Sequence, residues 1–158
     1  MIIVIEGVDG SGKTTLANQI SSQAGFEVIH RSKPETNEER LNMLQMYRAI
    51  IASGKDIILD RSWYSEVVYG QVMRDISFIS IEQMKQLEDE LANVGGLVIY
   101  CTGDVDKLWQ RACLRGESYI TDYRDFTALA LYYESLFTMP HKIPVVRYAI
   151  NDDTSTQI

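Results

Sequence analysis

The sequence predicts a three-layer α/β fold: a five-stranded parallel sheet flanked by helices, with a short helical lid. Three observations carry that expectation. Five short apolar runs, at residues 2–5, 26–29, 56–60, 97–101 and 144–150, are separated by segments of helical periodicity. The first run leads straight into a glycine-rich turn that opens a helix. The third ends in the acid–cation pair Asp60-Arg61.

The apolar run at residues 2–5 has the pattern of a strand buried on both faces. It continues into Gly7-Val8-Asp9-Gly10-Ser11-Gly12-Lys13-Thr14, which satisfies G-x-x-x-x-G-K-[ST] at every fixed position. Glycines let such a loop curl until successive amide N–H groups point at phosphate oxygens. Gly10, Ser11, Gly12, Lys13, Thr14 and Thr15 are therefore the expected ATP contacts. Lys13 supplies the cation for the β- and γ-phosphates, and the Thr14 hydroxyl is placed for Mg²⁺. A helical stripe of Leu16, Ala17, Ile20 and Ala24 follows, and its N-terminal dipole adds positive potential to the same site. Strand, loop and helix in this order predict a nucleoside-triphosphate site on a P-loop NTPase fold.

The 158 residues suit one domain, residues 1–158, large enough to bury a core. A formal charge of −7 argues against a general duplex-binding surface, which needs a broad basic field, but is compatible with a local basic pocket. Cys101 and Cys113 lack metal-ligand spacing and read as reduced packing residues, as in a cytoplasmic protein. No apolar run approaches membrane-spanning length, so neither a membrane nor a nucleic acid is an expected partner.

Gly25 stops the first helix, and the second strand, at 26–29, delivers His30-Arg31-Ser32-Lys33-Pro34 to the ligand edge of the sheet. Arg31 and Lys33 there suit either an anionic substrate or ordinary solvated charge. Thr36-Asn37-Glu38-Glu39 matches a capping box, predicting one helix with Leu41, Leu44, Tyr47 and Ile51 on its apolar face and Gly54 as its end. Arg40 and Arg48 lie on it, and Arg40 is a candidate for the substrate cleft. In the third strand, Asp60 fits an acid supporting Mg²⁺ opposite the phosphate loop, and the planar fork of Arg61 suits phosphate oxygens.

Residues 62–73 read as a helix carrying Trp63, Tyr64, Ser65 and Tyr69, whose aromatics suit either stacking on a base or sugar or the core, with core the reading for Trp63. Ser80 caps another helix, whose Ile81, Met84, Leu87 and Leu91 are packing residues. After the fourth strand, Asp104 opens a helix on which Arg111 and Arg115 share a side. A break at Gly116 and a helix over 122–137 complete the expected lid, about 111–122.

With these residues assembled, the chain resembles the thymidylate kinase-like nucleotide kinases. The opening Ile5-Glu6-Gly7-Val8-Asp9-Gly10-Ser11-Gly12-Lys13-Thr14-Thr15 is very like that family's, and Asp60-Arg61 with Ser65 and Tyr69 matches its Asp-Arg-aromatic-x-x-Ser pattern and later Tyr. The resemblance implies that Asp9 lies near the acceptor's sugar, Arg61 binds the acceptor phosphate, and Tyr69 favours deoxyribose. It also implies that Arg111 and Arg115-Gly116 enter a basic lid. Ser62 stands where the family has an aromatic, and Asp-Arg-Ser is similar to the related deoxynucleoside kinases. The segment between the second strand and Asp60 is compressed, which leaves the base and dimerisation open; a homodimer is compatible with the chain.

The expected function is transfer of the γ-phosphoryl of ATP, with Mg²⁺, to a deoxynucleoside monophosphate of dTMP type. Lys13, Asp60, Arg61, Arg111 and Arg115 are the expected catalytic residues, with Thr14 and Asp60 at the metal. Asp9, Arg31, Lys33, Arg40, Arg61, Ser65 and Tyr69 are expected at the acceptor. One rival is a deoxynucleoside kinase acting on a 5′-hydroxyl, with Glu35 or Asp60 as base. Another is a nucleotide-binding switch without turnover.

Overall fold

The computed structural model describes residues 1–116, 120 and 122–150. All five expected strands form: β1 (Ile2–Glu6), β2 (Glu27–His30), β3 (Ile57–Asp60), β4 (Leu97–Thr102) and β5 (Val145–Ala149). They make one parallel sheet in the order β2-β3-β1-β4-β5. The sequence runs from β1 outward to β2 and β3 on one side and then to β4 on the other. That reversal opens a crevice at the carboxyl end of β1, where ligands bind in such sheets.

Strand side chains alternate between the two faces. Ile3, Ile5, Ile58 and Cys101 pack with Ala17, Leu16 and Ile20 of α1 (Lys13–Ala24). Ile2, Val4, Ile57, Leu59, Val98 and Tyr100 enter the larger core. That core is closed by α3 (Met43–Ala52), α4 (Trp63–Tyr69), α5 (Ile81–Asn93), α6 (Val105–Arg115) and α7 (Tyr123–Thr138). Trp63 and Tyr64 are fully buried, and Tyr47 meets Trp63 edge to face at 5.3 Å. Burying an aromatic of this size contributes roughly 1.5–3 kcal/mol. Trp63 is core, as its position predicts.

The structure corrects the sequence reading in four places. The helix expected from Thr36 to Gly54 is two: α2 (Asn37–Leu41), opened by the Thr36 capping box, and α3, with the break at Asn42. Leu41 is therefore 82% exposed instead of joining Leu44, Tyr47 and Ile51 on one face. The helix after Asp60 gives way to a π-helical turn, Gly70–Arg74, closed by Asp75 at φ 58°. β5 pairs only with β4, and as an edge strand it leaves Val146 and Tyr148 exposed. Cys113 is exposed and takes no part in packing, whereas Cys101 is buried. No helix among the described residues is long and apolar enough to cross a membrane.

Candidate active site

The phosphate loop turns through three left-handed glycines: Gly7 at φ 148°, Gly10 at 79° and Gly12 at 85°. Gly10 also has no room for a side chain. A Cβ there would stand 2.6 Å from the Leu108 carbonyl oxygen and 2.9 Å from the Ala112 nitrogen, because α6 packs directly on the loop. The Ser11 hydroxyl donates to the Val8 carbonyl at 2.6 Å, and Lys13 Nζ donates to the same oxygen at 2.9 Å. Burial, followed by the nearby Arg61 cation, lowers the Lys13 pKa to about 8. The carboxylates of Asp9, Asp60 and Glu6 offset that burial only in part, and a bound polyanion would add to them.

Thr14 Oγ1 donates to Asp60 Oδ2 at 2.7 Å, which ties the first turn of α1 to the end of β3. His30 Nδ1 lies 2.8 Å from the same oxygen. This loop, Asp60, His30 and Arg115 line a cavity of about 210 Å³. One hydroxyl and one carboxylate at its wall fit Mg²⁺, which takes one or two protein oxygens and completes its shell with water and phosphate. Among the described residues, no cluster of three His, Cys, Asp or Glu competes as a metal centre.

Immediately after Asp60 the chain strains. Arg61 sits at φ 71°, a conformation costly for a residue with a Cβ. Its N–H bonds the Ile5 carbonyl at 3.0 Å, and its guanidinium donates to Asp9 Oδ1 at 2.5 Å. Weaker contacts reach Ser65 Oγ at 3.3 Å and Tyr133 Oη at 3.4 Å. The strain is held by Glu6, the last residue of β1, which is wholly buried. Its carboxylate accepts from the Ser62 N–H at 2.8 Å and the Ser62 hydroxyl at 2.7 Å. It also accepts from the Ser65 N–H at 3.2 Å, the Ser65 hydroxyl at 2.7 Å and Tyr133 Oη at 3.0 Å. Glu6 thus fixes the turn that aims Arg61.

A second cavity, of about 370 Å³, opens on the other side of Arg61. Ser65, Tyr69, Arg31, Lys33 and Asp9, five of the residues expected at the acceptor, line it along with Met43, Tyr47, Glu66 and Arg74. The Arg61 guanidinium lies 5.3 Å from the centre of the Tyr69 ring. Burial is the main cause that pushes the Tyr69 pKa up to about 12. Asp9, Arg31 and Arg61 line both cavities, so the two meet there.

Other expected residues fall elsewhere. Arg40 lines neither cavity; it bonds Asn37 Oδ1 at 3.2 Å and lies over the Phe78 ring at 5.3 Å. Arg48 pairs with Glu90 at 2.9 Å. Glu35 is exposed and lines neither cavity. Thr15 is exposed on the first turn of α1. Arg115 reaches the phosphate cavity from the end of α6, while Arg111 sits one turn back against Gly10. The rest of the expected lid, at 117–119 and 121, lies outside the described residues. Sequence reasoning missed Glu6, Tyr133, Glu66 and Arg74. For Glu6 a signal existed: an acid ending an otherwise apolar strand directly before the phosphate loop.

A phosphate loop, an acid on the neighbouring strand and a cation-lined second cavity on this parallel sheet define a P-loop kinase. Residues 1–116 match the family model for polyphosphate kinase 2 (PPK2), and the chain belongs to that family. It is 28% identical over 133 residues to the SPbeta prophage-derived protein YorR of Bacillus subtilis (strain 168), covering 84% of this chain and 80% of YorR. The crystal structure of YorR in complex with phosphorylated GDP superposes with a TM-score of 0.75 at 22% identity, over 96% of this chain and 85% of that one. Deoxyadenosine kinase from M. mycoides, with products dCMP and a flexible dCDP bound, gives 0.61 at 21% identity, over 99% and 94%. Polyphosphate kinase 2 from Arthrobacter aurescens TC1 gives 0.62 at 15% identity, over 94% and 60%. These structures share the fold of this chain.

Proposed function

We propose that the protein transfers the γ-phosphoryl of ATP to the 5′-phosphate of a deoxynucleoside monophosphate. One observation carries the reading: Arg31 and Arg61 line both cavities, so two guanidinium groups flank the point where donor and acceptor would meet. Phosphoryl transfer asks the protein mainly for positioning and charge neutralisation. Lys13 and the loop amides hold the donor phosphates. Thr14 and Asp60 would hold Mg²⁺, which neutralises β- and γ-phosphate charge when bound. Arg61, aimed by Glu6 and paired with Asp9, and Arg31 hold the acceptor phosphate in line with the γ-phosphorus. An anionic acceptor oxygen attacks, the bond to the β,γ-bridging oxygen breaks, and ADP leaves. The attacking oxygen carries no proton, so no general base is required. Arg115, and Arg111 after a shift of α6, would neutralise charge on the transferring group.

A 5′-hydroxyl acceptor, the substrate type in the name of the M. mycoides neighbour, would need a base at the junction. Asp9 is the carboxylate there, and it is engaged by Arg61 at 2.5 Å. Asp60 lines the phosphate cavity alone, where Thr14 and His30 hold it. Both facts favour a monophosphate. The YorR complex with phosphorylated GDP supports a nucleotide ligand, and the family's name raises inorganic polyphosphate as an alternative donor.

The test is product formation with Mg²⁺ and either ATP or polyphosphate. The acceptors are the four deoxynucleoside monophosphates, their ribo counterparts and the four deoxynucleosides. Turnover with ATP on deoxynucleoside monophosphates, lowered about 10²–10³-fold in Lys13→Ala, is the expected result. Turnover on deoxynucleosides alone would move the acceptor to the hydroxyl and leave Arg31 and Lys33 without an acceptor phosphate to bind. Turnover with polyphosphate alone would replace the donor. Silence throughout would make the protein a nucleotide-binding switch.

A further inference from the structure

The acceptor cavity also carries an ion pair, between buried Glu66 and half-buried Arg74, that the transfer chemistry does not use. Glu66, on α4, is 7% exposed and lines the 370 Å³ cavity but not the phosphate cavity. Its Oε1 accepts from Arg74 Nη2 at 2.8 Å and from the Phe78 N–H at 2.9 Å. Its Oε2 has no hydrogen-bond partner among the described residues. Arg74, on the π-helical turn, lies over the Phe78 ring at 5.5 Å and lines the same cavity. Its Nη1 likewise has no partner among the described residues. Arg31 and Arg61 line both cavities, whereas this pair lines only the second, away from the junction and so within reach of a nucleotide's base.

The pair presents one open acceptor beside a cationic donor. That is the complement of an amino group beside a ring nitrogen. Cytosine offers it as N4–H₂ next to N3, and adenine as N6–H₂ next to N1. Thymine offers one N–H flanked by two carbonyl oxygens, so a carboxylate approaching it meets like partial charge on both sides. Guanine's edge offers two neighbouring donors, N1–H and N2–H₂, which call for both carboxylate oxygens; Oε1 already accepts twice. A buried acceptor left unpaired by the wrong base is costly, which makes such a site discriminate sharply.

We infer that Glu66 and Arg74 read the acceptor's base and select an amino base of the cytosine or adenine type over thymine and guanine. The inference rests on the second cavity being the acceptor site, and it replaces the dTMP-type acceptor implied by the resemblance. It deepens the proposed function without depending on where the phosphoryl group lands.

Equilibrium binding and turnover would be measured for the four deoxynucleoside monophosphates and, in parallel, the four deoxynucleosides. Cytosine and adenine compounds should exceed thymine and guanine compounds by at least about tenfold in both readouts. The ranking should appear in whichever series binds, so loss of the monophosphate reading would show as a change of series with the base order kept. Glu66→Gln, which turns the open acceptor into an amide able to donate, should shrink the preference over thymine at least about tenfold. Arg74→Met should weaken both preferred bases while leaving the affinity for ATP unchanged. Melting curves of both variants check folding, and the wild-type ranking stands as a test if either variant unfolds. A preference for thymine or guanine, equal binding of all four bases, no binding in either series, or an unchanged ranking in folded Glu66→Gln would overturn the inference.

Discussion

The two cavities that meet at Asp9, Arg31 and Arg61 are built in opposite ways. The phosphate cavity comes from one continuous turn of backbone after β1, completed by the ends of β2, β3 and α6. The second cavity, the proposed acceptor site, is assembled from side chains on six separate segments: the phosphate loop, the loop after β2, α3, the turn after β3, α4 and the π-helical turn. A site made of backbone amides tolerates little change in its glycines and is indifferent to what its ligand carries beyond the phosphates. A site made of scattered side chains can be retuned one residue at a time, and specificity resides there.

The sharpest way to break that contrast is to remove the residue that couples the two sides. Glu6→Ala strips the acceptor from two backbone N–H groups, two serine hydroxyls and Tyr133, all in a buried site. It should cost roughly 3–5 kcal/mol of folding stability. In a chain of this size that is a fall of roughly 6–20 °C in melting midpoint. Retention of the wild-type midpoint would mean that the Arg61 turn holds itself.

Lys13→Ala removes the cation of the backbone-built side. It should lower turnover by about 10²–10³-fold with little change in acceptor binding. An Arg31→Ala variant probes the side-chain-built side. The KM for a monophosphate acceptor should rise about tenfold or more while kcat and the KM for ATP stay near wild type. An equal loss on deoxynucleosides would show that Arg31 does not read the acceptor phosphate.

A smaller effect separates the cavities by pH. The Lys13 pKa is lowered from 10.5 to about 8 in the free protein, by burial above all. Between those values the unfolded chain binds the extra proton, so Lys13 makes stability increase with pH across about 8 to 10.5, and its cost is fully present below 8. Bound phosphates favour the charged amine, so nucleotide affinity should fall by up to about tenfold per pH unit above 8. Acceptor binding should not follow, and Lys13→Ala should flatten the slope. Matching slopes for both ligands would place Lys13 in contact with both.

What the sequence reveals follows the same division. The phosphate loop, Asp60-Arg61 and the five strands are legible because local rules determine them: spacing of glycines, apolar runs, and an acid at a strand's end. The Asn42 break is not, because the capping box at Thr36 and the stripe through Leu44, Tyr47 and Ile51 each look right alone. Leu41 lies before the break and is exposed, while Tyr47 beyond it packs edge to face on Trp63, a long-range contact that local spacing does not report. The π-helical turn is equally hidden. Gly70 is the residue that allows it, since a Cβ there would stand 2.7 Å from the Ile76 carbonyl oxygen. That close approach comes from chain folding back on itself, which no periodicity reports. Glu66 and Arg74, eight residues apart, meet only through that turn.

The central claim is that donor and acceptor phosphates meet end to end at Asp9, Arg31 and Arg61. A bisubstrate analogue, adenosine joined through a chain of phosphates to the preferred deoxynucleoside, tests it most directly by titration calorimetry. The account predicts binding at least about a hundredfold tighter than ATP or the monophosphate alone, with the advantage lost in Arg31→Ala. An analogue that binds no tighter than ATP would contradict it, because the two cavities would then not be one continuous site.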